Sequence, residues 1–208
     1  MYIDISMNVE DGMLHWPSDP EISIIHYSRI KKGDPANNSK ITCGTHTGTH
    51  IDAPHHFIDS GPGIDRLRLE DMIGPCRVLG VPRDVSIISK EFLTPFDIKK
   101  GDRLLFKTRN SEWINAGDRN FHKDYVYVEQ EAAKYLVEKG VILVGVDYLS
   151  VEGYHIGHET HLALLGAGVI VIEGLNLYNA EAGNYRLIIL PVKIMGSDGA
   201  PARAILEK

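Results

Sequence analysis

The chain has 208 residues, 43% hydrophobic and 24% charged, a makeup that suits a soluble globular protein with a real core, read as one α/β domain over 1–208. A formal net charge of −6 argues against nucleic acid or an anionic membrane as main partner and for a small-molecule substrate. No apolar run approaches the roughly 20 residues of a spanning helix, and Cys43 and Cys76 form no CxxC pair, which fits a reduced cytoplasm.

Met1-Tyr2-Ile3-Asp4-Ile5-Ser6 carries an acid early and no basic-then-apolar run, so it reads as a first strand, Tyr2 to Ile5, and not as an export signal. Strands are also expected over Glu21 to Tyr27 and on the approach to Cys43, with turns at Gly33-Asp34-Pro35 and Gly61-Pro62-Gly63. Cys43 is close enough to His46 to be a ligand, but a lone cysteine of this kind is better read as a small buried apolar side chain.

The next stretch, His46-Thr47-Gly48-Thr49-His50-Ile51-Asp52-Ala53-Pro54-His55-His56, packs four imidazoles and a carboxylate into a few residues. Imidazole and carboxylate are the set from which catalytic zinc sites are assembled, with a position left open for water or substrate. His46, Gly48, His50 and Asp52 share one parity, so an extended segment turns them to one face, where Gly48 leaves a gap for an ion. A straight strand would hold His46 and Asp52 about 20 Å apart, far beyond metal–ligand bonds of about 2 Å. The chain must bend, and Gly44 and Gly48 are the residues to bend at. A helix is the alternative way to bring His46 and His50 together, as i and i+4, but Gly48, the β-branched Thr47, Thr49 and Ile51, and Pro54 speak against it.

Further strands are expected over Cys76 to Val81 and Arg103 to Lys107. Glu129 to Lys139 sets Ala132, Ala133, Leu136 and Val137 on one stripe and ends in Gly140, an amphipathic helix with its C-terminal glycine. The apolar run Val141 to Val146 reads as a strand covered on both faces, and Asp147 just past it as a cap or a site residue. Glu159 to Leu165 predicts a short helix ending at Gly166 or Gly168, and Val169 to Ile172 a buried strand that delivers Glu173. A carboxylate closing so apolar a run needs a cation beside it, either a metal or Arg186. His155, His158 and His161 compete to join it, and spacing does not choose among them; His158-Glu159-Thr160-His161 is one residue short of HExxH.

His46 to Phe57 resembles the HxGTHxDxPxHF signature of the cyclase family of metal-dependent hydrolases, which includes bacterial kynurenine formamidase. The similarity continues through Trp16-Pro17-Ser18-Asp19-Pro20, Thr108-Arg109-Asn110, Gly145 to Ser150, His161 with Leu164-Leu165, Ile172 to Leu177, and Pro201-Ala202-Arg203. The resemblance implies a swivelling β/β/α fold, a mixed sheet with short strands and few helices, in a homo-oligomeric cytoplasmic enzyme. It implies two Zn²⁺ per subunit, with Mn²⁺ as the other metal the family uses. By position, His46, His50 and Asp52 would hold one ion, and Asp52 would bridge to a second completed by His161 and Glu173. His56 would be the catalytic acid/base, and Trp16 with Phe57 would wall an aromatic substrate. The resemblance thus selects His161 over its two rivals. The implied reaction is hydrolysis of N-formyl-L-kynurenine to L-kynurenine and formate, a metal ion bringing water's pKa from about 15.7 toward 7. Alternatives are another amide, an isatin-like cyclic amide or a lactone, or a metal-stabilised binder without turnover. In isatin hydrolases of this family glutamine replaces the second-site carboxylate beside a single manganese, so Glu173 favours two ions. Ser18 in place of the family's usual glycine, and the segment from Tyr154 to Glu159, are the departures that bear on the substrate.

Overall fold

The computed structural model describes residues 1–154 and 157–208, so the sequence candidate His155 lies outside the described residues. In chain order the elements are β1 (Tyr2–Asp4), β2 (Ser23–Ser28), β3 (Asn38–Thr42), β4 (His50–Asp52), α1 (Leu69–Met72), β5 (Ile73–Gly80), β6 (Ile87–Ile88) and α2 (Lys90–Leu93). They continue with β7 (Arg103–Lys107), α3 (Asn110–Ala116), β8 (Tyr127–Val128), α4 (Gln130–Glu138), β9 (Leu143–Val146), α5 (Glu159–Gly166), β10 (Ile170–Glu173), β11 (Gly183–Pro191) and β12 (Gly199–Glu207). The main sheet runs β1-β12-β11-β5-β7-β9-β10-β4, and β12 also pairs with β4. That second pairing closes seven strands into a ring, a mixed sheet that is parallel through β5, β7, β9 and β10 and antiparallel elsewhere.

Alternation along the strands divides the apolar residues in two. Ile51, Val78, Leu105, Leu143, Ile172, Leu187 and Leu206 belong to the cluster that fills the ring. Leu104, Phe106, Val144, Val146 and Val171 turn the other way, onto Leu93, Ala132, Ala133, Leu136, Leu164 and Leu165 of α2, α4 and α5. The strands β9 and β10 are buried at every residue, as their near-continuous apolar runs require. Among the described residues no helix is long and apolar enough to cross a membrane.

Several local expectations take definite form here. Helix α4 ends with Gly140 at φ +72°, whose N–H donates to the Val137 carbonyl. Asp147 serves as a cap: fully buried, it accepts from the backbone N–H groups of Thr108 (2.7 Å) and Ser111 (3.1 Å) at the start of α3, and from both their hydroxyls. Two expectations are corrected. Cys43 is exposed and not buried, because β3, which precedes it, is exposed throughout and pairs with β2 in a two-stranded sheet apart from the main one. Arg186 is spent on Glu207 at 3.2 Å and does not serve Glu173.

Candidate metal centre

Strand register builds the floor of the site. His50 of β4 lies directly opposite Glu173 of β10, and Asp52 opposite Val171, so all three side chains with carboxylate or imidazole groups point to one face while Ile51 and Ile172 enter the ring. His50 and Asp52 are 1% exposed and Glu173 4%. His50 Nε2 stands 3.4 Å from Asp52 Oδ1 and 3.4 Å from Glu173 Oε2.

The loop before β4 bends as the spacing requires. Gly48 takes φ +62° and brings His46 back so that its Nδ1 lies 2.9 Å from Asp52 Oδ1. The glycine does not leave a gap for an ion, however: a Cβ there would meet Met13, Val9 and Met7 on the side away from the site. What Gly48 gives the site is its turn and its carbonyl, which takes His50 Nδ1 at 2.9 Å. Gly174, at φ +67°, follows Glu173 and abuts the Gly48 carbonyl so closely that a Cβ would collide with it. Thr49 closes the seam by donating its hydroxyl to the Gly174 carbonyl at 2.5 Å.

His161 arrives from α5, its Nε2 3.1 Å from Glu173 Oε1 and 3.8 Å from Asp52 Oδ2. The structure thus brings together His46, His50, Asp52, His161 and Glu173, with His56 stacked on His46 at 3.9 Å between ring centroids. Among the described residues, two groups have ligand atoms all within 4.8 Å of one another: His46, Asp52 and His56, and His50, Asp52 and Glu173. Asp52 belongs to both. The grouping places His50 with the carboxylates and His56 beside His46 and takes in neither His161 nor His158, a partition different from the one the resemblance implies. His158 lines the cavity above, its ring 4.8 Å from that of Phe57, with no place in either group.

Two groups that the sequence did not single out complete the surroundings. Glu152, 3% exposed, puts Oε2 2.8 Å from His161 Nδ1, and its Oε1 accepts the Thr160 N–H at 2.8 Å. Asp198 puts Oδ2 2.9 Å from His46 Nε2 and 3.9 Å from His56 Nδ1. Asp198 precedes β12 and stands 152 positions from His46, so no local pattern links the two.

A divalent cation fits this donor set. His50 Nε2 and Asp52 Oδ2 are buried and make no hydrogen bond among the described residues, a costly arrangement unless a cation satisfies both. The electrostatics agree. Burial pushes the His50 imidazole down, but the Asp52 and Glu173 carboxylates outweigh it and hold its pKa up at about 10. His161 is likewise raised to about 10 against burial, by Glu152 and Glu173. Burial pushes Asp52 up, yet His46 and His50 hold it well below the carboxylate range. The charge those histidines carry without metal is the charge a dication would replace.

Above the centre opens a cavity of about 660 Å³, lined by Trp16, Asp19, Phe57, Leu149, Tyr154 and His158 together with the site residues His46, His56, His161 and Glu173. The Trp16 ring stands edge-on to Phe121 at 5.0 Å and to Tyr154 at 5.5 Å, so one wall is aromatic. Among the described lining residues there is no lysine or arginine.

Comparison with known proteins shows the family. Residues 3–153 match the family described as "Putative cyclase". The chain is 36% identical to the kynurenine formamidase of Salinibacter ruber over 99% of its own length and 96% of that protein's. It is 37% identical to cyclase-like protein 3 of Oryza sativa subsp. japonica, over 99% of this chain and 79% of the other. A solved structure of a predicted metal-dependent hydrolase from Bacillus stearothermophilus superposes with a TM-score of 0.86 at 35% identity, covering 99% of this chain and 97% of that one. With a family match over most of its length and relatives above 30% identity end to end, the chain belongs to the cyclase family of hydrolases.

Proposed function

We propose that the protein is a dinuclear zinc arylformamidase that converts N-formyl-L-kynurenine to L-kynurenine and formate. The observation that carries the metal reading is Asp52, a buried carboxylate that belongs to both ligand groups and keeps one oxygen unpaired. His46, His50, His161 and Glu173 would be the remaining ligands in this reading, with Asp52 available to both ions. The substrate class rests on the aromatic wall at Trp16 and on the likeness to relatives that are named kynurenine formamidases.

When bound, the ions supply Lewis acidity, making water nucleophilic near neutral pH and drawing charge from a carbonyl oxygen. The chain's own residues do the rest. Trp16 and Phe57 hold the aryl ring so that the formamide carbon faces the floor of the cavity. Burial keeps the His56 imidazole below its ordinary pKa, so it has a free lone pair at neutral pH. His56 takes a proton from the attacking water and returns it to the aryl nitrogen as the C–N bond breaks, leaving formate and the free amine.

The test is a hydrolysis screen of the zinc-loaded protein on N-formyl-L-kynurenine, simpler aryl formamides, isatin and an aryl lactone. The reading expects the highest kcat/KM on the formyl-kynurenine. A preference for isatin or the lactone would overturn the substrate assignment, and tight binding without cleavage of any of them would make the protein a binder.

A further inference from the structure

Each candidate metal ligand of the histidine type has its second ring nitrogen held, but by partners of very different enclosure. His161 Nδ1 is held by Glu152, which is itself sealed at 3% exposure and pinned by the Thr160 N–H. His46 Nε2 is held by Asp198, whose side chain is 41% exposed and is kept in place by the hydroxyls of Thr45 and Ser197 at 3.2 Å. A carboxylate on one ring nitrogen keeps the proton there and turns the other lone pair toward the metal, and such partners carry about 10- to 100-fold in metal affinity. Enclosure matters in the same direction. Coulombic attraction is far stronger where water is excluded, whereas a brace open to solvent competes with water and is screened by salt.

We propose that the centre holds its two dications unequally. The position served by His161 and Glu173, braced by the buried carboxylate of Glu152, fills first and keeps its ion. The position served by His46, braced by the open carboxylate of Asp198, fills second and exchanges with the medium. Glu152 and Asp198 are positioning residues, each acting through a histidine. The proposal rests on the dinuclear reading above, and its test separates the two.

The zinc-loaded protein is dialysed against chelators of rising strength and its ions are counted per chain, followed by the same series on Glu152→Gln and Asp198→Asn. The expected result is two ions at saturation, one of which leaves at a free-zinc level at least about 10-fold higher than the other, in keeping with the range for such partners. Glu152→Gln should weaken the retained ion by about 10- to 100-fold, and Asp198→Asn only the exchanging one. Cobalt-loaded protein gives an independent readout, because the visible bands of the retained ion should shift in Glu152→Gln and hold in Asp198→Asn. Two ions of equal affinity, or effects assigned to the opposite ions, would overturn the proposal. A single ion at saturation would instead overturn the dinuclear reading beneath it. Should Glu152→Gln fail to fold, the release order in the unaltered protein and in Asp198→Asn decides the matter alone.

Discussion

The residues of the centre that ride on strands differ from those that ride on loops and on a helix end. His50, Asp52 and Glu173 sit in β4 and β10, fixed by ladder register and almost wholly buried. His46 and Asp198 come from loops around the strands and His56 from the short 3-10 helix Pro54–His56 after β4, with side-chain exposures of 15%, 41% and 28%. The difference teaches how such a site divides its labour: hydrogen-bonded strands fix the carboxylate that both ligand groups share, and the connecting segments bring the more exposed groups that meet substrate and solvent.

The largest effect should come from the strand side. Asp52→Ala should lose most bound metal and with it all measurable turnover, read by metal analysis beside the formamidase assay. Two ions retained by that variant would remove Asp52 from its bridging role. On the loop side, His56→Ala should leave metal content nearly intact while lowering kcat by about 10²- to 10⁴-fold. Because His56 lies with His46 and Asp52 in one ligand group, loss of an ion in this variant would make it a ligand instead.

Asp147 sharpens the contrast by testing a carboxylate that is buried without any metal role. Asp147→Ala would strand donors from Thr108 and Ser111 and should cost on the order of 3 kcal/mol in urea unfolding, with metal stoichiometry unchanged in the folded fraction.

The buried histidines also set a pH dependence. His50 and His161, raised from 6.5 to about 10, stabilise the metal-free protein fully below pH 6.5 and lose that contribution as pH rises through about 10. Asp52 and Glu173, lowered from 3.8 and 4.5, stabilise it above those values and lose the contribution as pH falls through their depressed ones. The metal-free protein should therefore be most stable between those two ranges, in mildly acidic solution. Zinc must displace the protons on His50 and His161, so its affinity should climb with pH and its binding should release protons. Calorimetry in buffers of different ionisation enthalpy checks this; binding without proton release would contradict it. The smallest effect belongs to the cavity wall: Trp16→Ala should raise KM several-fold, roughly the loss of one aromatic contact, and leave kcat within a few-fold.

Two parts of the site are legible in the sequence. The runs before Val146 and Glu173 are apolar enough to announce buried strands, and the dense group from His46 to His56 announces its own chemistry. The closing strands were harder to read. In β12 the buried positions Ala200 and Ala204 carry little apolar signal, so the pairing with β4 that closes the ring leaves almost no mark. Glu152 and Asp198 illustrate the same point at the site. Each is an ordinary acid in a loop, and its partner is set by the tertiary fold. Family resemblance selects His161 over His158, and the structure places His161 against Glu173 because α5 packs on β10.

The most direct test of the account is a stepwise titration of metal-stripped protein with zinc, following cleavage of N-formyl-L-kynurenine at each addition. The account predicts no turnover in the stripped protein and activity that climbs with bound metal to a plateau at two ions per chain. Full turnover in the absence of metal, or a plateau reached with Asp52 replaced by alanine, would contradict it.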